Sequence, residues 1–159
     1  MGRQALSALA AVTIAASVAT AQASAGQSRL LTLVAAQNTS FMTSYTKIYE
    51  ALPNLAKAKD QSRQTMENLI AADGQMEQIA AAAIVRFSGY QPQGAKEQQA
   101  KPVVLEWLRD TKAAYAASAA WQRAALSDSP TQYQAGQAAE AASGKAARAL
   151  SRIAKILAG

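Results

Sequence analysis

The chain has 159 residues, of which 16 are basic and 10 are acidic, and it contains neither cysteine nor histidine. These two absences exclude disulfide bonds, thiolate nucleophiles, imidazole bases, histidine-ligated haem and ordinary zinc sites. The length suits one compact domain, whose stability has to come from side-chain packing.

Residues 1–25 have the pattern of a cleavable export signal. Arg3 supplies a positive charge, residues 5–20 form an uncharged apolar run, and Ala21-Gln22-Ala23 and Ala23-Ser24-Ala25 offer small-x-small cleavage sites. A retained membrane helix is the alternative, but the run is rich in Ala, Ser and Thr, and no basic stop-transfer cluster follows it. We therefore expect export to a periplasmic or extracellular location, with one mature domain over residues 26–159.

The composition of the mature domain favours helices. Half of all residues are hydrophobic but only 6% are aromatic, and alanine, the best helix former, is abundant. Prolines fall where helices should begin or end, which gives predicted helices over about 28–52, 54–88, 102–126 and 130–157. Together they predict an all-α protein, an up-down-up-down four-helix bundle.

The first two predicted helices each carry one core-facing stripe at steps of three and four residues. In the first helix the stripe is Leu30, Val34, Gln37, Phe41, Tyr45, Ile48 and Leu52, and Pro53 ends or kinks it. In the second helix it is Met66, Leu69, Asp73, Met76, Ala80, Ala83 and Phe87. Because this stripe stays in phase through Asp73-Gly74, we predict one long helix, with a weak point at that dipeptide.

The third predicted helix follows the longest loop. Residues 88–94 contain two Gly and one Pro, a charged, Gln-rich stretch continues to Lys101, and Pro102 suits the first position of a helix. Its stripe is Val104, Leu108, Thr111, Tyr115 and Ser118. Trp107 and Trp121 fall on one side of this helix, where we expect them to fill the core rather than form a binding strip.

The fourth predicted helix begins with a capping signature, in which Ser129 precedes Pro130 and Gln132 follows three residues after the serine. Its small residues Gly136, Ser143 and Gly144 are expected to let a neighbouring helix approach closely.

Carboxylates occur in two i,i+4 pairs, Asp73/Glu77 and Glu106/Asp110. Across a bundle such pairs can assemble an oxygen-rich metal site, but di-iron bundles also use Glu-x-x-His motifs, so we expect solvated helix charges. Ser and Lys show no catalytic spacing, and no glycine-rich phosphate loop is present. The sequence therefore predicts a protein that is not an enzyme, without a metal or cofactor.

The basic stripe of the last helix is the clearest functional pattern. Its members, at steps of three, four and three, are Lys145, Arg148, Arg152 and Lys155. Apolar residues fill the opposite side, so the helix is cationic and amphipathic. One interpretation is contact with an anionic surface, and the other is an ordinary solvated face on a packed helix.

From these patterns we expect an exported binding or structural component of an envelope, secretion or surface assembly. Removing residues 1–25 leaves fifteen basic and ten acidic residues, a formal charge of +5, which suits a protein partner or an anionic envelope surface and also serves simple solubility. No specific nucleic-acid partner is indicated. The alternative function is a membrane-active or lipid-binding protein that uses its cationic C-terminal helix in peripheral membrane contact.

Overall fold

A computed structural model describes residues 28–51 and 63–158, which form four α-helices and no strand. They are α1, Arg29–Glu50; α2, Arg63–Ser88; α3, Ala95–Leu126; and α4, Gln132–Ala158. The all-α prediction is confirmed. The predicted signal peptide, residues 1–25, and the region around Pro53 lie outside the described residues.

Helix α1 begins as the sequence predicts, after Ser28. The Ser28 hydroxyl accepts a hydrogen bond from the Leu31 amide at 3.3 Å, which satisfies one of the amides that a helix start leaves without a partner. The first half of the predicted stripe is buried, whereas Tyr45 and Ile48 are only partly buried and Tyr49 lies in the core instead. The core-facing side thus shifts slightly toward the end of the helix.

Helix α2 runs through Asp73-Gly74 without interruption, as predicted. All seven residues of its predicted stripe are buried. Nothing lies within 4 Å of the position that a side chain on Gly74 would occupy, so this glycine does not serve a close helix approach.

Helix α3 begins at Ala95, seven residues before the predicted start at Pro102, so the predicted loop over 95–101 is wrong. Gly94 has a φ of 87°, which favours glycine, and its carbonyl accepts the Gln98 amide at 3.1 Å. Glu97, in the first turn, is buried, and its carboxylate accepts a hydrogen bond from the Gln93 amide at 2.7 Å. This carboxylate fixes the helix start, and Pro102, inside the helix, removes a single backbone donor.

Helix α4 begins at Gln132, two residues after the predicted start. The Ser129 hydroxyl accepts the Thr131 amide at 3.3 Å, so the serine organises the turn that leads into the helix. Trp121 of α3 packs on Gly136, where an added side-chain carbon would lie 3.2 Å from the ring. Ser143 is buried, whereas Gly144 faces the Arg148 side chain of its own helix.

The four helices pack at unequal distances. Helices α3 and α4 approach most closely, α2 and α3 come next, and α1 is linked to the others mainly through large side chains. One such contact is an edge-to-face pair between Phe41 and Trp107, with ring centroids 5.8 Å apart at an interplanar angle of 80°. Small residues therefore hold the α3–α4 pair together, and long side chains attach α1.

Candidate functional site

The basic stripe of α4 lies at the surface. Lys145, Arg148, Arg152 and Lys155 are all exposed. The opposite side of the helix is buried in the core by Ala146, Ala149, Leu150, Ile153 and Leu157. The helix can therefore present its basic side chains to a partner without leaving the protein.

Two members of the stripe also make contacts within the protein. Arg152 forms an ion pair with Glu106 of α3 at 3.1 Å, between side chains that are 56% and 48% exposed. Such an exposed pair contributes little to stability and stays open to exchange with a partner. Arg148 lies back over Gly144, with its guanidinium 3.4 Å from the position of an added side-chain carbon there. Lys145 and Lys155 extend the stripe at its two ends.

The two predicted carboxylate pairs do not come together. Glu77 pairs with Lys112 at 3.6 Å, and Glu106 pairs with Arg152. Within 28–51 and 63–158, no group of three or more acidic side chains is placed to hold a metal ion. Asp73 lies on the predicted core-facing stripe of α2, and its side chain is completely buried.

Asp73 is the centre of a buried polar cluster, which we call the Asp73 cluster. The Tyr49 hydroxyl of α1 donates to Asp73 Oδ1, and Gln122 Nε2 of α3 donates to Asp73 Oδ2 at 2.9 Å. Gln122 Nε2 also lies 3.4 Å from the Ser118 hydroxyl. The prediction of a weak point beside Gly74 missed these contacts, which join three helices.

The Asp73 cluster is electrostatically unusual. Desolvation raises the pKa of Asp73, although hydrogen bonds from Tyr49, Ser118 and Gln122 oppose that shift. Desolvation and the nearby carboxyl also raise the pKa of Tyr49 and of Tyr115. The side-chain oxygen of Gln122 is buried without a hydrogen-bond partner. The cluster is closed to solvent, which suits a structural role.

Glu97 is the centre of a second polar cluster, the Glu97 cluster, at the start of α3. Oε1 accepts the Ser28 hydroxyl at 2.7 Å and the Leu30 amide at 3.0 Å. Oε2 accepts the Tyr90 hydroxyl at 2.6 Å and the Gln93 amide at 2.7 Å. One carboxylate thus connects the start of α1 to the turn between α2 and α3.

The hydrogen bonds of the Glu97 cluster determine its ionisation. Desolvation alone would raise the pKa of Glu97, but the donors Tyr90, Gln93, Leu30 and Ser28 outweigh it and lower the pKa to about 2. Desolvation and the bond to Glu97 raise the pKa of Tyr90 to about 12. Glu97 is therefore held as a carboxylate, whereas folding shifts the pKa of Asp73 in the opposite direction.

Sequence reasoning missed both clusters, although signals for parts of them exist. Gln122 follows Ser118 by four residues and so continues the predicted α3 stripe. An acidic residue in the first turn, as Glu97 is after Gly94, is favoured by the helix dipole and so is typical of a helix start. The partners of Glu97 in α1 are more than sixty residues distant in the chain, and no local pattern indicates them.

The two tryptophans fill space, as expected. Trp107 is almost completely buried, and Trp121 is partly buried against Gly136. They do not form an exposed aromatic strip.

In the part of the chain that the structure describes, no helix combines the length and hydropathy needed to cross a membrane. No protein-family profile, curated protein or solved structure matches the chain significantly.

Proposed function

We propose that this protein is an exported, non-enzymatic helical-bundle protein that acts as a binding or structural component of an envelope, secretion or surface assembly. The observation that carries the proposal is the exposure of Lys145, Arg148, Arg152 and Lys155 on a helix whose apolar side is already buried. A rigid helix with exposed cations can contact an anionic surface or protein while losing little conformational freedom.

Export rests on the pattern of residues 1–25, and the proposed architecture is an up-down-up-down bundle. Contacts between successive helices support this topology. The order of the contacting residues reverses from each helix to the next. The contacts are Gln37–Arg86 and Tyr49–Asp73 between α1 and α2, Asp73–Gln122 and Glu77–Lys112 between α2 and α3, and Glu106–Arg152 and Trp121–Gly136 between α3 and α4. A non-enzymatic role is supported by Asp73, since its carboxyl, whose pKa is raised, lies where no substrate reaches it.

Changing all four stripe residues to Gln tests the proposal. If the stripe contacts an anionic surface, each nearby charge contributes on the order of 1 kcal/mol, and binding weakens as salt rises. The variant should then lose binding to anionic vesicles or to heparin while its helical circular dichroism stays close to that of the wild type. Equal binding by both proteins would contradict the proposal.

The same experiment addresses the membrane-active alternative. Insertion of α4 into lipid requires that Leu150, Ile153 and Leu157 leave the core, which exposes to water the apolar side chains of the other helices that they cover. Dye leakage from vesicles treated with the wild type, and its loss in the variant, would favour the membrane-active function.

A further inference from the structure

Positive charge is concentrated at one end of the described protein. Arg86 of α2 donates a hydrogen bond to Gln37 of α1, and Arg152 of α4 pairs with Glu106 of α3. Residues 28–37, 86–106 and 152–158 lie to one side of these two contacts, and we call this part the basic end. The Glu97 cluster joins the first two of these pieces directly.

The basic end carries six basic residues, which are Arg29, Arg86, Lys96, Lys101, Arg152 and Lys155. It carries two acidic residues, Glu97 and Glu106. The remaining described residues include seven basic and seven acidic ones. The net charge of the described residues, +4, therefore comes entirely from the basic end.

Neither acidic residue of the basic end offers a free negative charge to a partner. Glu97 is buried under four hydrogen bonds, and Glu106 is paired with Arg152. Lys101 is structural as well, since its ammonium donates to the carbonyls of Ser88 at 2.9 Å and Tyr90 at 2.8 Å. The exposed cations of this end thus come from different helices.

Those exposed cations include Arg29 at the start of α1, Lys96 at the start of α3 and Lys155 near the end of α4. Of the four basic residues of the α4 stripe, only Arg152 and Lys155 lie at this end. Lys145 and Arg148 lie in the part of the protein where the two signs of charge balance. Long-range attraction toward an anionic surface is therefore strongest at the basic end.

We infer that the basic end, rather than the length of α4, docks the protein on an anionic lipid bilayer, an inference that rests on the proposed function of a basic contact surface. The apolar run of residues 5–20 ends eight residues before Ser28. At about 3.6 Å per extended residue, at most about 29 Å of chain separates the run from this end. When the run is in a membrane during export, the basic end is the nearest part of the domain to the headgroups.

Two double variants with equal loss of charge test the inference. Arg29→Gln/Lys96→Gln removes two charges from the basic end and leaves the stripe intact. Lys145→Gln/Arg148→Gln removes two charges from the stripe and leaves the basic end intact. All four side chains are exposed, and thermal melting monitored by circular dichroism checks that both variants stay folded.

The measurement is co-sedimentation of the full-length protein with vesicles of phosphatidylglycerol and phosphatidylcholine, with pure phosphatidylcholine vesicles as background. Each headgroup-facing charge contributes approximately a five-fold factor in affinity. We expect Arg29→Gln/Lys96→Gln to bind about 30-fold more weakly than the wild type. Lys145→Gln/Arg148→Gln should stay within about three-fold of it, by the same reasoning.

The other outcomes separate this inference from the proposed function. A larger loss in Lys145→Gln/Arg148→Gln would identify the stripe as the contact surface and overturn only the inference. Equal losses would show that binding depends on net charge alone and would also overturn it. Wild-type binding to heparin without binding to anionic vesicles would leave the proposed function and reject the bilayer. Binding to neither would overturn both.

Discussion

Two buried carboxyls, Asp73 and Glu97, show how local donors decide the ionisation of a residue. Asp73 accepts hydrogen bonds from side chains and has a raised pKa, whereas Glu97 accepts four hydrogen bonds, two of them from backbone amides, and has a pKa of about 2. Desolvation opposes the charged form at both sites. The number and polarity of the donors therefore give the two groups opposite effects on stability as pH changes.

At neutral pH, Asp73→Asn should raise the free energy of unfolding above that of the wild type, by on the order of 1 kcal/mol. Because folding raises the pKa of Asp73, its stabilising contribution is complete below the unfolded value of 3.8 and is lost as pH rises through the folded value. Asparagine carries no charge and still offers an acceptor to Tyr49. Its amide nitrogen can donate to the Gln122 side-chain oxygen, which is otherwise unpartnered, once the Gln122 amide turns over.

Urea unfolding of wild type and Asp73→Asn across acidic and neutral pH measures this effect. The advantage of the variant should shrink toward the acidic limit. An Asp73→Asn variant that is strongly destabilised at neutral pH would show that the ionised carboxylate stabilises the core.

Glu97→Gln should destabilise the protein by on the order of 2–3 kcal/mol at neutral pH, because a neutral amide replaces the carboxylate that accepts four hydrogen bonds. In the wild type the sign with pH is opposite to that of Asp73. Folding lowers the pKa of Glu97 from 4.5 to about 2, so its contribution is present above 4.5 and is lost as pH falls through 2.

The same denaturation series measures this contribution. The difference between wild type and Glu97→Gln should be large at neutral pH and small near pH 2. A constant difference across that range would mean that Glu97 acts through packing alone.

At the scale of the helices, periodicity predicts which faces are buried, but it does not predict every boundary. The α2 stripe is buried at all seven positions because a helix of apolar period 3.6 can bury that face in only one way. The predicted start of α3 is wrong because Pro102 fits the local preference for proline at the first position of a helix. The contact that fixes the true start joins Glu97 to Leu30 of α1, which is distant in the chain. Contacts between residues that are distant in the sequence produce no periodic pattern. Single members of the two polar clusters could therefore be predicted, but their partners could not.

Leu150→Ala should cost about 2–5 kcal/mol, since Leu150 is 3% exposed in the core between helices. Val85→Ala is a matched control on α2, because Val85 is 75% exposed and should change the free energy of unfolding by less than about 0.5 kcal/mol. Similar costs for the two variants, measured by urea unfolding, would contradict the packed position of α4.

Two glycines inside helices should respond differently to alanine. Gly74→Ala should stabilise the protein by about 0.5–1 kcal/mol, because the added carbon meets open space and alanine favours the helix. Gly136→Ala places its carbon 3.2 Å from Trp121, so displacement of the indole should cancel that gain or reverse it. Melting temperatures of the two variants check this. An equal rise in both would mean that the Trp121 indole is displaced at little cost in free energy.

At the scale of the whole molecule, α1 is attached differently from the other helices. Helices α3 and α4 are in close contact, whereas α1 stands further from its neighbours and has buried polar anchors near both ends, at Glu97 and at Asp73. Fewer close contacts predict a lower free energy of local opening.

Native-state hydrogen exchange should therefore show α1 opening at lower free energy than α3 and α4. Glu97→Gln should reduce protection in α1 and in the turn between α2 and α3 more than in α4. Uniform protection across the four helices, with a uniform loss in the variant, would instead indicate a single cooperative unit.

The contact between Ser28 and Glu97 also bears on the proposed cleavage of residues 1–25. The predicted cleavage sites end at Ala23 and Ala25, only a few residues before Ser28, and a processing peptidase needs an accessible stretch of chain on both sides of its cut. Once Ser28 and Leu30 are hydrogen-bonded to Glu97, only a few residues between the cleavage site and α1 remain free for the peptidase to bind. Processing should therefore compete with completion of folding, and a precursor that folds too early would be cut slowly.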